Sequence, residues 1–416
     1  MKVAATKSAF VSGLIFFAAA SLATAALAAP RDLLAGGSDQ YFWFGQVGRD
    51  HDGEATQIMV REAGGGLDWE ALDLAPGRIT SMSDLGMDLA CLEDTGNWLL
   101  ASPQGNRSGV LLPGGGEILA LATDGTTVYV TSSQLVVTAF DAATGKPVWT
   151  HDLIKEFAGR NIQWENAASP LLDAGVLYVA GGGPSQSIVA FDGKTGAVLW
   201  KAFDEKMTHA TPVAATILGQ RQIIFFLQSG LLSVEPKTGK ELWRYTFDYK
   251  VSTAASPVVA GDIVYCSAGY GVGAGAVRVS NAAGAWKATE IYRLRGNKPL
   301  GNHWSTPVAK DGYLYGMFQF KEYGSGPVKC VEIATGQVKW EQPGFGPGQV
   351  ILAGDRVLAL SDAGELVAFE AKPTGYHELA RWKVLDGKCW TTPVISNGLV
   401  FARSTKEAVC VNLSGH

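Results

Sequence analysis

The chain has 416 residues, of which 47% are hydrophobic and 18% are charged, and its formal net charge at pH 7 is −5. This apolar content excludes an intrinsically disordered chain and is sufficient for a sizeable core. The mild excess of acidic residues also makes the chain a poor candidate for binding the phosphate backbone of a nucleic acid.

The N-terminal residues have the pattern of a secretory signal peptide. Lys2 and Lys7 form a basic start, an uncharged run extends from Ala9 to Ala29, and an Ala-x-Ala cleavage pattern ends at Ala28. The run is also long enough to span a bilayer, so an uncleaved anchor is the alternative. Its alanine-rich second half favours cleavage, and no cysteine lies nearby to carry a lipid.

We therefore expect residues 1–28 to be removed as a signal peptide and residues 29–416 to form a single domain. No other stretch is long and apolar enough to cross a membrane, so the mature protein is expected to be periplasmic or secreted. The five cysteines, an odd number, leave at least one thiol free in a monomer, and their disulfide pairing stays open.

Two landmarks recur along the chain at a spacing of about 45 residues, and they keep the same phase. The first is Ser/Thr-Pro before an apolar run, with the prolines at Pro170, Pro212, Pro257, Pro307 and Pro393. The second is a turn glycine, found at Gly145, Gly196, Gly239, Gly284, Gly336 and Gly375. Each unit is therefore one copy of a supersecondary structure.

The unit from Ser169 to Trp200 shows the content of one repeat. It has four short apolar runs with a period of two, rich in β-branched and aromatic residues, which predict four strands. Four antiparallel strands in about 45 residues are typical of a propeller blade. In the Asp-x-x-Thr-Gly turn the Asp and Thr can hydrogen-bond the local backbone, while the glycine permits a positive φ.

A tryptophan follows the turn glycine by four residues in four units and is predicted to lie on the outer strand of its blade. An aromatic ring there can pack against the neighbouring blade and bury roughly 150–250 Å². These tryptophans are therefore predicted to dock blades rather than to take part in catalysis. They are Trp149, Trp200, Trp243 and Trp340.

The unit count predicts an all-β fold, an eight-bladed β-propeller of four-stranded antiparallel blades, with seven blades as the alternative. The segment Ile79–Ser102 is counted as a degenerate unit, and the last unit stops after three strands. An N-terminal strand near Gly65–Leu72 is expected to supply the fourth strand there. The ring would then be closed by N- and C-terminal strands, which removes exposed sheet edges.

The blade pattern, Asp-x-x-Thr-Gly-x-x-x-Trp with Ser/Thr-Pro-Val, resembles the pyrroloquinoline-quinone-like (PQQ-like) propeller repeat family over nearly all of the mature chain. The segment Trp43–Gly53 is also similar to an N-terminal segment of secreted bacterial propellers of this group. The resemblance implies one of two classes. One class comprises quinoprotein dehydrogenases that hold PQQ above Ca²⁺ or a lanthanide, and the other comprises propellers without a cofactor.

The sequence favours the second class, an exported non-catalytic binding or scaffold propeller of the periplasm or cell envelope. The chain has no adjacent cysteine pair, and its one compact acidic cluster, Asp50–Glu54, is interpreted as a polar loop because a Ca²⁺ cage needs 6–8 oxygens. No metal site and no catalytic residue is assigned. The alternative is a small PQQ-dependent alcohol or sugar dehydrogenase with PQQ and Ca²⁺ in the propeller mouth.

A candidate binding site is predicted where the loops before the innermost strands meet the loops between second and third strands. Aromatic and cationic side chains there suit a flat or anionic ligand, either a small molecule or a protein or peptide partner. The alternative is a solvated loop face whose His and Trp side chains tie blades together. The candidate residues are Asn166, His209, His303, Trp304, Lys321, Tyr323, Trp390, Arg403 and Lys406.

If the signal peptide is cleaved as predicted, mass spectrometry of the exported protein will find an N-terminus near Ala29. A chain that keeps all 416 residues and stays in the membrane fraction would contradict cleavage.

Overall fold

The computed structural model describes side chains for residues 122–142, 146–249, 253–296, 300–318 and 326–395 and for a few positions between 400 and 411. Before residue 122 and near the C-terminus it describes mainly the backbone of strands. No helix within these described ranges is both long and apolar enough to cross a membrane. By packing, the chain divides into a terminal unit, Met1–His151 with Lys383–His416, and a central unit, Asp152–Trp382.

The strands up to residue 152 belong to the terminal unit. They are β1 (Ala5–Lys7), β2 (Leu14–Phe16), β3 (Tyr41–Gln46), β4 (Thr56–Glu62), β5 (Trp69–Leu74), β6 (Ile79–Leu85), β7 (Asp88–Glu93), β8 (Asn97–Ala101), β9 (Arg107–Leu111), β10 (Ile118–Thr123), β11 (Thr127–Ser132), β12 (Val136–Asp141) and β13 (Pro147–Asp152). A short helix, α1 (Leu153–Phe157), follows and begins the central unit.

Twenty strands form the described sheets of the central unit. They are β14 (Leu171–Asp173), β15 (Val176–Ala180), β16 (Ile188–Asp192), β17 (Val198–Ala202), β18 (Val213–Ile217), β19 (Gln220–Leu227), β20 (Gly230–Val234), β21 (Glu241–Thr246), β22 (Val258–Ala260), β23 (Ile263–Ala268), β24 (Gly273–Ala282), β25 (Ala285–Leu294), β26 (Val308–Lys310), β27 (Tyr313–Met317), β28 (Val328–Glu332), β29 (Gln337–Gln342), β30 (Gly348–Ala353), β31 (Arg356–Ser361), β32 (Glu365–Glu370) and β33 (Glu378–Lys383). The last strands, β34 (Val394–Ser396), β35 (Leu399–Arg403) and β36 (Ala408–Asn412), return to the terminal unit.

These strands form nine four-stranded sheets, eight of which take four consecutive strands each. The all-β prediction with four-stranded antiparallel sheets is confirmed, and this sheet composition is that of a β-propeller. Two of the nine sheets contain β1 or β2, which lie within the predicted signal peptide. The count of eight blades and the single domain over 29–416 therefore stay predictions.

The fourth strand of the C-terminal sheet is not the segment Gly65–Leu72 that the sequence suggested. It is β1, in which Ala5 pairs with Val411 and Lys7 with Val409. The predicted segment contributes to β5, which pairs with β4 in a sheet of its own. A physical reason is proximity along the chain, since a hairpin partner a few residues away costs less loop-closure entropy than one at the far terminus.

In the central unit, consecutive sheets pack face to face, and their side chains form one hydrophobic cluster after another. One cluster joins Tyr178 and Ala190 of one sheet to Phe225 and Leu232 of the next. The second and third strands are therefore buried on both faces, as in β23, whose six residues are all buried. Such strands are continuous apolar runs rather than alternating ones.

Trp200 shows how one sheet docks on the next. Its indole Nε1 donates to the carbonyl oxygen of Pro236 at 2.8 Å. Its ring lies flat against Gly239, where a Cβ atom would come within 2.5 Å of a ring carbon. Gly239 is therefore required for close approach as well as for its positive φ of 69°.

The other aromatic positions vary this arrangement. Trp340 Nε1 donates to the carbonyl of Lys372 at 2.8 Å, and in the sheet β22–β25 the ring of Tyr292 takes the same place, against Gly336.

Trp243 instead donates to Gln222 Oε1 at 2.7 Å within its own sheet. Trp149, in the terminal unit, lies 6.1 Å from the ring of Tyr129.

A β-bulge next to the aromatic residue recurs in four consecutive sheets of the central unit. Ala190 pairs with Trp200 while Phe191 pairs with Val198, so Leu199 is the additional residue. The same shift occurs beside Trp243, Tyr292 and Trp340. A bulge at this place turns the strand and aims the aromatic side chain at the neighbouring sheet.

The turn before each outer strand is held by its own side chains. Asp192 Oδ1 accepts from the backbone N–H of Thr195 at 2.8 Å and from its hydroxyl at 2.7 Å. Glu235 with Thr238 repeats the pair of bonds. The hydrogen bonds from Thr195 lower the pKa of Asp192, because they stabilise its ionised form.

The repeated Ser/Thr-Pro landmark is explained by a hydrogen bond between successive first strands. The backbone N–H of Ser169 donates to Thr211 Oγ1 at 3.1 Å, and that of Ser256 donates to Thr306 Oγ1 at 3.0 Å. In both cases the acceptor is the hydroxyl of the threonine that precedes the proline of one unit, and the donor is the backbone N–H of the serine that precedes the proline of the adjacent unit. The landmark joins units rather than stabilising its own strand.

Replacing Trp200 with Ala is expected to lower the free energy of unfolding by about 3–5 kcal/mol, because it empties the contact with the next sheet. Chemical denaturation measures the change. Leu199→Ala is the matched control, since Leu199 is 49% exposed and should change stability by less than about 0.5 kcal/mol. An unchanged midpoint for Trp200→Ala would contradict the docking.

Thr306→Val is expected to destabilise the protein by about 1–3 kcal/mol, since the isosteric side chain leaves the N–H of Ser256 without its acceptor. Thr306→Ser keeps a hydroxyl and should recover most of the loss in the same thermal or denaturant melts. Equal stability of the Val and Ser variants would show that this hydrogen bond contributes little.

Candidate binding surface

The candidate surface lies at one edge of the sheets of the central unit. In a four-stranded antiparallel meander, the first strand begins at the edge where the second strand ends, the third begins and the fourth ends. The loops between second and third strands and the connections between sheets therefore share this edge, which we call the loop edge. The turns Asp192–Gly196 and Glu235–Gly239 lie at the opposite edge.

The connection that leads into β14 is pinned at its start. Asp152 caps α1 by accepting from the backbone N–H of Ile154 and Lys155 at 3.1 and 3.0 Å. The N–H of Gly183, in the loop between β15 and β16, then donates to Phe157 O at 2.8 Å. A Cβ atom on Gly183 would lie 2.2 Å from the carbonyl oxygen of Ala158, so this close approach needs glycine.

Trp164 is displayed at the loop edge by an unusual backbone. Trp164 and Glu165 both adopt left-handed conformations, with φ of 70° and 63°, and Trp164 is 59% exposed. Two such residues in succession are costly for side chains larger than glycine. The conformation therefore depends on the contacts that hold Glu165.

His209, from the connection that leads into β18, holds this backbone. Its Nε2 lies 2.7 Å from the carbonyl oxygen of Glu165. A carbonyl only accepts, so Nε2 carries the proton and donates. Burial lowers the pKa of His209, partly offset by this hydrogen bond, so the ring is neutral at pH 7. Asn166 is 1% exposed, and its Oδ1 accepts from the backbone N–H of Ala168 at 3.2 Å.

A second exposed aromatic residue, Tyr270, has the same kind of support. Tyr270 lies in the loop between β23 and β24, has φ of 56° and is 41% exposed. The ring of His303 meets it edge to face, with centroids 4.8 Å apart, and the ring of Trp304 lies 5.4 Å from that of His303. The carbonyl of His303 accepts from the N–H groups of Ala254 and Ala255, which ties this connection to the previous one.

The structure brings only part of the predicted set together. His303 and Trp304 are in contact, His209 supports Trp164, and the side chain of Asn166 is turned into the protein. Trp390, 46% exposed with Lys388 Nζ 5.1 Å from its ring centre, and Arg403, half-buried on β35, belong to the terminal unit. Lys321, Tyr323 and Lys406 lie outside the described residues.

Sequence reasoning did not select Tyr270. Its signal was the Gly-Tyr-Gly tripeptide in a predicted loop, where flanking glycines allow a tight turn and an aromatic side chain has no strand to pack on.

The described residues do not match the donor set of a quinone-bound calcium ion. Such a site needs several carboxylate and amide oxygens in one place. Among the residues described, no group of three or more His, Cys, Asp or Glu side chains could hold a metal ion. A cavity of about 500 Å³ along the first strands β18, β22 and β26 is lined by small and aliphatic residues such as Val213, Pro257 and Ala309.

Among solved structures, BamB from Moraxella catarrhalis is similar, with a TM-score of 0.59 and 14% identity over 79% of this chain and 95% of that chain. The quinohemoprotein alcohol dehydrogenase from Comamonas testosteroni reaches a TM-score of 0.51 at 12% identity, over 91% of this chain and 73% of that chain. At such identities the likeness shows a shared fold alone.

Sequence comparison is more specific. The curated outer membrane protein assembly factor BamB of Shewanella oneidensis is 23% identical over 248 residues, which is 56% of this chain and 59% of that protein. The match thus spans less than two thirds of the relative's length. The family model described as outer membrane protein assembly factor BamB matches residues 58–317 and 324–414. Because that model covers most of the chain, the protein belongs to the BamB family of PQQ-like repeat propellers.

Proposed function

We propose that this protein is a non-catalytic binding scaffold of the bacterial cell envelope, which holds a protein or peptide partner at the loop edge of its central unit. The family name, outer membrane protein assembly factor, suggests that the partner takes part in assembling outer membrane proteins. The signal-peptide pattern supports a periplasmic location.

The observation that carries this proposal is the display of Trp164. A tryptophan that is 59% exposed gains little burial to offset the strain of two successive left-handed residues. Such strain is typically retained where a side chain is needed in a fixed position for function. His209 supplies the restraint through its bond to Glu165.

The chemistry of the surface fits a macromolecular partner. Tryptophan and tyrosine are enriched among the residues that contribute most to protein–protein affinity, because each buries a large area with few rotatable bonds. The ring of Tyr270 is pre-oriented by His303, and His209 holds the backbone next to Trp164, so part of the ordering cost is met before a partner covers them.

Trp164→Ala and Tyr270→Ala are each expected to reduce the yield of folded outer membrane proteins in a bacterium whose only copy of this protein is the variant. The matched control is Leu218→Ala. Leu218 is 56% exposed and has φ of 49°, but it lies in the turn after β18, at the opposite sheet edge. Immunoblots must show equal amounts of each variant.

A normal yield in both aromatic variants, or an equal loss in the Leu218 control, would contradict the proposal. The dehydrogenase alternative has its own readout. Purified protein is mixed with PQQ and Ca²⁺, and a bound chromophore that reduces a dye in the presence of an alcohol would overturn the non-catalytic assignment.

A further inference from the structure

A charged cavity of about 740 Å³ lies between the outer strands β21 and β25 of two successive sheets. Its lining residues are Thr246, Asp248, Glu290, Arg293, Leu294 and Arg295. None of them was selected by the sequence pattern, and none belongs to the display of Trp164 or Tyr270.

The cavity arises where the repeat is irregular. The sheet β22–β25 has no Asp-x-x-Thr-Gly turn and instead extends β24 and β25 to ten residues each. Its Gly275 leaves room for the previous sheet, since a Cβ there would lie 2.8 Å from Tyr245 Oη and 3.0 Å from the Phe247 ring. Arg293 is the cross-strand partner of Gly275 and shares this space.

Arg293 is held in place by an aromatic ring rather than by a salt bridge within the described residues. The Cζ of its guanidinium lies 3.2 Å from the centre of the Phe247 ring, a cation–π contact that fixes its plane. Its Nε is buried and has no hydrogen-bond partner among the described residues. The guanidinium also has a hydrogen bond with the side chain of Tyr245. An arginine has five N–H donors in a planar fork, so others remain to bind a carboxylate through two parallel hydrogen bonds.

One of the two acidic groups of the cavity, Glu290, is already hydrogen-bonded. Glu290 Oε2 accepts from the hydroxyl of Tyr245 at 2.6 Å. Within the described part of the chain, neither Arg293 nor Arg295 forms a salt bridge, although Arg278 on β24 pairs with Asp262. Asp248 lies exposed on the rim and can accept hydrogen bonds from an amide or ammonium group.

We propose that this cavity binds an acidic peptide segment, with one Asp or Glu carboxylate on Arg293 and Arg295. The volume exceeds what a single anion needs, and Asp248 suits the amide donors of a peptide and repels a bare dianion. The inference goes beyond the loop-edge proposal and does not depend on it, because it rests on different residues.

The test measures fluorescence anisotropy of a labelled hexapeptide with alternating Glu and Ala, titrated with the mature protein. The same peptide with Gln in place of Glu should bind at least tenfold more weakly. Arg295→Gln, at an exposed position, should weaken binding several-fold without lowering the melting temperature, and Arg293→Gln should weaken it at least tenfold. Arg278→Gln, which removes an arginine already paired with Asp262, should leave affinity unchanged.

Other outcomes overturn the proposal. Equal affinity for the Glu and Gln peptides, or equal loss in Arg278→Gln, would show non-specific charge attraction. Displacement of the peptide by equimolar inorganic phosphate or glutarate would show a small-anion site instead. Trp164→Ala should leave the peptide affinity unchanged, so a failure here is distinguishable from a failure of the loop-edge proposal.

Discussion

The central unit depends on aromatic rings of outer strands that dock on the turn of the next sheet, and at two joints, Trp200 on Gly239 and Tyr292 on Gly336, the ring packs on the turn glycine itself. Trp200 on Gly239 combines a buried ring, an indole hydrogen bond to Pro236 and a glycine that a Cβ atom would displace. The bulge at Leu199 aims the ring, and the Glu235–Gly239 turn, held by the bonds from Thr238 to Glu235, shapes its platform. Turn, bulge and tryptophan are therefore three parts of one joint.

The sheet in which this joint changes is also the one that contributes to the charged cavity. Gly284 lies in the turn of the lengthened β24–β25 hairpin, and no atom lies within 4 Å of a Cβ placed there. Trp243 therefore has no turn glycine to pack on, and its indole N–H donates to Gln222 instead. Tyr245 and Phe247 instead meet Glu290 and Arg293 across the cavity. Departures from a repeat that is otherwise maintained for packing are expected at functional sites, and this sheet is such a departure.

Much of the fold could be predicted because the repeat records local interactions. Strand order, the turn hydrogen bonds of Asp192 and the spacing of Trp200 from its glycine all arise within one unit. Contacts between connections are not local, because His209 meets Glu165 and His303 meets Ala254 across about 45 residues of this chain, and the connecting loops do not share the repeat pattern. Tyr270 and the burial of Asn166 could not be read from the period for this reason, and Tyr292 was missed because tyrosine replaces the tryptophan there.

A double-mutant cycle between Trp200 and Gly239 tests the docking contact most directly, with unfolding free energies measured for both single variants and the double variant. In Gly239→Ala the new methyl group clashes with the indole, whereas in the Trp200→Ala background only the backbone strain at φ of 69° remains. If the ring packs on the glycine, Gly239→Ala will cost less stability in the Trp200→Ala background, with a coupling free energy of about 0.5–3 kcal/mol. Effects that add within about 0.3 kcal/mol would show that ring and glycine are not in contact.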